Sequence, residues 1–314
     1  MRTGMIALLV WICLAGSGAA QSERVRLEWE RWLDRVGATE ASLVFMIENA
    51  ELSIEARGIA PDTPMPLASN SKAITALCLE ALVREGKLAW DDRVARWYPS
   101  VRTELTVADL VVHRAGLGRD STQRKMPRWR GDRTPRWAEV RAAAFARKKH
   151  AAPAKRYRYS NENYAILGDL IEVLSGQPYE RACRSRVLER FGVQGVLGDA
   201  YGGFGPWGGW SMSVRDYALL LRKGYVGRDP QAGPYAPVAE SGKVIYGLGM
   251  LARLSPYTPN QWHVGSLCFG GQGHGALAMN LGGRYTVVAA YNTCASPAER
   301  EALERSLVKA IFAD

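Results

Sequence analysis

The sequence predicts an α+β protein, and three observations predict it. Runs rich in β-branched and aromatic residues lie near both ends of the chain, at 42–57 and 262–291, while the stretch between them has helical periodicity. Amphipathic runs flank the strand-rich parts on the outside, at 23–36 and 298–311. Together they imply a sheet built from both chain ends, with a helical block inserted in the middle. The expected boundaries are residues 21–92 and 204–314 for the discontinuous sheet domain and 93–203 for the insert, with the functional site where the two meet.

Each element has its own local reason. Between Glu23 and Val36, the apolar residues Val25, Leu33 and Val36 recur at helical spacing with Trp29 and Trp32. Ser42 to Ile47 and Leu52 to Arg57 form a hairpin around Glu48-Asn49-Ala50-Glu51. Ile74, Leu77, Cys78, Ala81 and Leu82 mark a helix that Gly86 ends, and Ser69 stands at its start. Asn163 to Leu174 is a further amphipathic run, ended by Gly176. Strands are expected at Trp262 to Gly265, Ala276 to Leu281 and Arg284 to Tyr291, the last two joined by Gly282-Gly283 as a two-residue hairpin. Ser296-Pro297-Ala298-Glu299 combines an N-cap, a first-turn proline and a capping-box glutamate, and the helix behind it buries Leu303, Leu307, Ala310 and Ile311.

Composition excludes several classes. At 314 residues, with 47% hydrophobic and 23% charged residues, the chain can bury a substantial core and is neither collagenous nor disulfide-dense. Arg2, the apolar run Met5 to Ala15 and the small residues Gly16 to Ala20 read as a signal peptide, with cleavage expected after Ala20 and a periplasmic or secreted destination. The apolar run is shorter than the ~20 residues a spanning helix needs. Export allows the four cysteines beyond this segment to pair; the strand reading favours Cys268 with Cys294, against an alternative of four free thiols.

The net charge of +10 is concentrated in one place. Residues 124–158 hold thirteen Lys and Arg against Asp132 and Glu139, a local +11, so the rest of the chain sums to about −1. The first half of this segment reads as loop. With Trp129 and Trp137 it has the composition of a nucleic-acid patch, but an exported protein seldom meets nucleic acid. The expectation is instead a solvated cationic face that touches an anionic cell surface or draws anionic substrates toward the site.

Three short motifs carry the chemistry. Ser69-Asn70-Ser71-Lys72 puts a hydroxyl and an amine on one face of a helix's first turn, where an amine of depressed pKa can take the serine proton. Tyr159-Ser160-Asn161 supplies a phenolate base beside cations and an amide to orient a substrate carbonyl. His263-Val264-Gly265-Ser266, on a strand, offers close backbone approach at glycine and a Ser266 N–H that pairs with the Ser69 N–H as an oxyanion hole. His113, His263 and His274 match no zinc spacing, so no metal or organic cofactor is expected.

In this order the motifs resemble the penicillin-binding, β-lactamase-like serine hydrolases, in the branch of class C β-lactamases, D-amino-acid peptidases and related esterases. Gly86-Lys87-Leu88 with Asp91-Asp92, His113 to Leu117, Tyr157 to Gly168 and Gly208 to Ser213 look like further landmarks of that family. The resemblance implies a β-lactamase/transpeptidase-like fold with an antiparallel sheet flanked by terminal helices. It also implies an acyl-enzyme on Ser69 with Lys72 and Tyr159 handling protons, and a substrate or oxyanion set of Asn161, His263, Gly265 and Ser266. The family often has lysine where His263 stands, which disfavours β-lactams relative to D-amino-acid peptides and small esters. His113-Arg114-Ala115 departs from the more usual His-Thr-Ser and reads as a structural turn. The alternative function is a sensor or scaffold of the same fold that binds ligand or acylates without turnover.

Overall fold

The computed structural model describes residues 4–101, 104–147 and 156–313, with side chains from Gly18 onward. Part of the basic segment, 148–155, and the first residues of the proposed signal peptide lie outside the described residues.

The chain opens with one helix, α1 (Gly4–Val36), that runs unbroken through Ala20. Strands β1 (Ala41–Ile47) and β2 (Ala50–Arg57) form the expected hairpin, and β3 (Met65–Pro66) leads to a 3-10 turn over Ala68–Asn70 and helix α2 (Ser71–Arg84). The middle holds α3 (Val107–Val111), α4 (Thr122–Trp129), α5 (Trp137–Arg147), α6 (Asn161–Ser175), α7 (Tyr179–Cys183) and α8 (Glu189–Phe191). The short strands β4 (Val196–Leu197) and β5 (Trp210–Met212) precede α9 (Val214–Tyr225). The chain returns to the sheet through β6 (Tyr235–Pro237), β7 (Val244–Gly247), β8 (Met250–Arg253), β9 (Asn260–Phe269), β10 (Gln272–Leu281) and β11 (Tyr285–Tyr291), and closes with α10 (Pro297–Phe312).

Eight strands form one antiparallel sheet in the order β2-β1-β11-β10-β9-β8-β7-β6, so strands from the two chain ends meet at β1 and β11. This is the β-lactamase/transpeptidase-like arrangement, an antiparallel sheet with helices on both faces. Successive strand residues point to opposite faces, and the core divides accordingly. Leu43, Phe45, Val287, Ala289 and Tyr291 face α1 and α10, whereas Val44, Met46, Val288 and Ala290 face α2 and the helical middle. On the outer face Trp29 and Trp32 stack at 5.6 Å, and the Trp32 indole N–H donates to the carbonyl of Glu299 on α10 at 2.8 Å. On the inner face α2 is buried on nearly every side, which is why its sequence is apolar around most of its circumference.

Several expectations are corrected in detail. The β10–β11 turn has three residues, because Leu281 pairs with Tyr285; Gly282 and Gly283 both take the positive φ that favours glycine. The basic segment is loop, as expected, over residues 130–136, but its first residues belong to the helix α4, which tolerates Pro127 near its end. Strands β6 to β8 and the small β3-β5-β4 sheet were not read from the sequence, being too short to show a period.

Part of the basic segment is tied to acids, some of them elsewhere in the chain. Arg133 pairs with Glu180 and Asp199, Arg141 with Asp169, Arg147 with Glu162 and Arg156 with Glu240, while Lys125 and Arg136 meet Glu139 and Asp132. The Cys268 and Cys294 sulfurs form a disulfide, joining the end of β9 to the loop before α10; Cys78 and Cys183 are free and buried.

Candidate active site

The turn that carries Ser69 is pinned from four sides. Leu67 N–H donates to the Trp210 carbonyl at 2.8 Å, and Met65 and Pro66 pair with Met212 and Ser211. The Asn70 amide donates to the carbonyls of Leu67 and Ala276, and the Asn70 carbonyl accepts from the Tyr217 hydroxyl at 2.9 Å. Trp210 N–H donates to the Ser71 hydroxyl at 3.1 Å. Ala68, directly before Ser69, has φ +48°, a left-handed conformation that costs a non-glycine residue about 1–3 kcal/mol and persists only where neighbours enforce it.

Lys72 is fully buried one turn along, and its Nζ lies 3.4 Å from Ser69 Oγ. Two further acceptors fix it: Asn161 Oδ1 at 2.8 Å and the Trp207 carbonyl at 2.8 Å. Burial pushes the Lys72 pKa well below the ordinary lysine value, and the charge of Asp120 partly opposes the shift. A neutral amine has two N–H bonds and one lone pair. With both N–H bonds directed at Asn161 and Trp207, the lone pair is left facing Ser69, the geometry a base needs.

Tyr159 completes the cluster. Its ring centroid lies 4.8 Å from Lys72 Nζ and 6.1 Å from that of His263. Burial raises the phenol pKa well above its usual value, and the Ser69 hydroxyl opposes the rise in part. This corrects the expected phenolate: Tyr159 rests as a neutral phenol, and Lys72 is the group with a free lone pair.

Asn161 is the first residue of α6, with Ser160 as N-cap. Both ends of its side-chain amide are engaged inside the protein, Oδ1 with Lys72 and Nδ2 with the Thr122 hydroxyl at 3.1 Å, rather than free for a substrate carbonyl. The sequence reading missed Asp120, Thr122 and the Trp207 carbonyl. The first two have the composition of an ordinary turn, and a backbone carbonyl leaves no mark on residue identity.

On β9, alternation turns His263 and Gly265 inward and Ser266 outward, where its hydroxyl accepts from Arg300 at 3.4 Å. Only the Ser266 backbone can serve the site. β8 pairs with β9 over Asn260 to Trp262 alone, so from His263 onward that register ends. The Gly265 backbone packs directly on the Ser69 turn, since a β-carbon there would lie 2.8 Å from Ser69 N.

Two buried histidines line the cluster as neutral imidazoles. His263 donates from Nδ1 to the Val264 carbonyl and accepts from the Tyr246 hydroxyl at Nε2; burial, then the nearby Lys72, lowers its pKa to about 3. His113 has φ +58° and does form a turn, as expected, but its ring also packs 4.4 Å from that of Tyr159. Its Nδ1 accepts from Ser160 N–H and the Asn163 amide, and its pKa lies well below the usual value, chiefly through burial. His274 bonds Tyr201 at 3.1 Å.

The family model described as Beta-lactamase matches residues 47–310. The chain belongs to the beta-lactamase family. This is a family of serine hydrolases, and the motif-bearing residues all fall within the matched range. Among curated relatives, Protein flp of Staphylococcus aureus (strain COL) is 28% identical over 129 residues, 39% of this chain and 25% of that protein. The chain thus spans about a quarter of the length of this relative. Penicillin-binding protein 4 of Amycolatopsis lactamdurans is 28% identical over 189 residues, 56% of this chain and 44% of that protein. The structure of D-amino acid amidase from Ochrobactrum anthropi SV3 complexed with L-phenylalanine amide superposes with TM-score 0.75 at 19% identity, covering 93% of this chain and 98% of that one. At that identity the likeness concerns the fold.

Proposed function

We propose that this beta-lactamase-family protein is an exported serine hydrolase that cleaves amides or esters through an acyl-enzyme on Ser69, with D-amino-acid amides, D-amino-acid peptides and small esters ahead of β-lactams. The observation that carries the proposal is the disposition of Lys72: buried, with two fixed acceptors, and with Ser69 Oγ at 3.4 Å as its third neighbour.

Neutral Lys72 takes the Ser69 proton as Oγ attacks the carbonyl carbon. The negative charge that develops on the carbonyl oxygen is held by the N–H groups of Ser69 and Ser266. The proton on Lys72 passes, directly or through the neutral Tyr159 hydroxyl, to the departing nitrogen or oxygen, and the C–N or C–O bond breaks. Water then attacks the acyl carbon, giving its proton back along the same route, and Ser69 is released.

Two features support the order of substrates. His263 is neutral at any physiological pH and supplies no ammonium-like charge for a β-lactam carboxylate. A solved structure of the same fold bears the name D-amino acid amidase. Export is supported by the leader-like residues 2–20 and by the Cys268–Cys294 disulfide. The sensor alternative is tested by the same experiment as the enzyme. A fluorophosphonate should label Ser69, and intact mass after addition of a D-phenylalanine amide or p-nitrophenyl ester should show an acyl adduct that decays. A persistent adduct would favour a sensor. Absence of labelling would remove Ser69 as nucleophile.

A further inference from the structure

We infer that Asp120 and Thr122 are positioning residues: they hold the Asn161 side-chain amide in the single orientation that aims the Lys72 amine at Ser69. The inference rests on the proposed roles of Ser69 and Lys72.

The argument follows the direction of each hydrogen bond. The Asp120 carboxylate can only accept. Its Oδ1 takes both the Thr122 N–H at 2.8 Å and the Thr122 hydroxyl proton at 2.7 Å, and its Oδ2 takes the Asn161 N–H at 2.8 Å. With its proton committed to Asp120, Thr122 Oγ1 must act as acceptor toward Asn161. The amide therefore presents Nδ2 to Thr122 at 3.1 Å and Oδ1 to Lys72 at 2.8 Å. If the amide were reversed, N–H groups would face the N–H bonds of Lys72 on one side, and an acceptor would face an acceptor on the other.

Thr122, Asn161 and Lys72 are all buried, so water does not readily replace a lost partner. The segment is held down on its other flank as well. Ser121 donates from its N–H and hydroxyl to Glu162, a fully buried carboxylate also bound by Arg147 at 2.6 and 2.8 Å. Residues 120–122 thus clamp the first turn of α6.

Asp120 also acts on Lys72 through charge. The titratable groups around the amine are Asp120 before α4, Tyr159 and Tyr164 at and in α6, His113 after α3 and His263 on β9. Among these, Asp120 is the one that favours the protonated amine.

The test measures the rate of fluorophosphonate labelling of Ser69 between about pH 5 and 10 in the full chain, with melting temperatures as a folding control. Thr122→Val keeps the shape but removes the acceptor, and labelling should slow tenfold or more with its acid limb unmoved; a misaimed group costs up to ~100-fold. Thr122→Ser restores the acceptor and should restore the rate. Asp120→Asn keeps the size but loses the charge and the enforced polarity. Labelling should slow, and the acid limb should move to lower pH by roughly half a unit or more, because the amine loses a partner for its charged form. Equal rates for Thr122→Val and Thr122→Ser would overturn the inference, as would an unmoved limb in Asp120→Asn. If wild-type Ser69 is not labelled at all, the nucleophile assignment fails and this inference falls with it. Normal wild-type labelling with indifferent variants sinks the positioning role alone.

Discussion

A β-carbon on Gly265 would stand 2.8 Å from the backbone nitrogen of Ser69 and 2.5 Å from the carbonyl oxygen of Leu67. These are backbone atoms of a turn already held by Trp210 and Asn70, so neither side can yield cheaply. Gly265→Ala should therefore widen the gap between β9 and the Ser69 turn, where two N–H groups are to converge on one oxygen. Loss of a single oxyanion donor costs about 10²–10³ in kcat. The expected result is a fall of at least ~100-fold in kcat/KM for a p-nitrophenyl ester in a folded protein. A change within about twofold would show that the close approach has no part in catalysis.

Tyr159→Phe separates the two proton-handling groups. In the proposed mechanism Lys72 is the base, so the acid limb of the pH–rate profile belongs to it and should survive in the variant. The relay to the leaving group is lost, and kcat should drop by about 10²–10⁴. Disappearance of the acid limb would assign it to Tyr159 instead. For the wild type the limb should lie well below the ordinary lysine pKa of 10.5, with activity lost as pH falls and Lys72 gains its proton.

How much of this was legible in the sequence depended on whether a residue's identity or its surroundings carried the information. Ser69, Lys72, Tyr159 and Gly265 could be picked out because hydroxyl, amine, phenol and bare backbone are chemistries with few substitutes. The Trp207 carbonyl could not, since any residue supplies one. Asp120 and Thr122 were hidden because an Asp-Ser-Thr turn is common, and its partner Asn161 is about forty positions away. The charge of the basic segment was visible, but its partners were not. Arg147 meets Glu162 and Arg133 meets Glu180 only after α5 packs on α6 and its neighbours. In the sheet, the long strands β9 to β11 had enough alternation to be recognised, whereas Tyr235–Pro237 is a three-residue edge strand ending in proline.

The disulfide should matter for both stability and activity. Cys268 and Cys294 are 26 residues apart, and closing a loop of that size stabilises by roughly 3–4 kcal/mol in the chain-entropy account. Cys268 follows Ser266 by two positions, so the bond also anchors the strand end next to the expected oxyanion donor. Cys268→Ser with Cys294→Ser should lower the melting temperature by several degrees and reduce kcat more than it raises KM. Calorimetry and steady-state kinetics check the two effects separately. An unchanged melting temperature would show that the loop is already ordered by α10 and its capping box.

Acid stability is expected to follow the buried histidines. His263 has a folded pKa of about 3 against an ordinary value of 6.5, so the unfolded chain binds its proton first as pH falls. Stability is then lost progressively from about pH 6.5 down to the folded value, by about 1.4 kcal/mol for each pH unit at most, and is unaffected by this group above pH 7. His113 is shifted in the same direction and adds to the loss. His263→Gln removes one contribution while leaving a polar side chain for the Tyr246 hydroxyl. Its unfolding free energy in urea should therefore fall less steeply than that of wild type between pH 6.5 and 4. Parallel curves over that range would mean that folding leaves the His263 pKa at its ordinary value, and that burial does not keep the imidazole neutral.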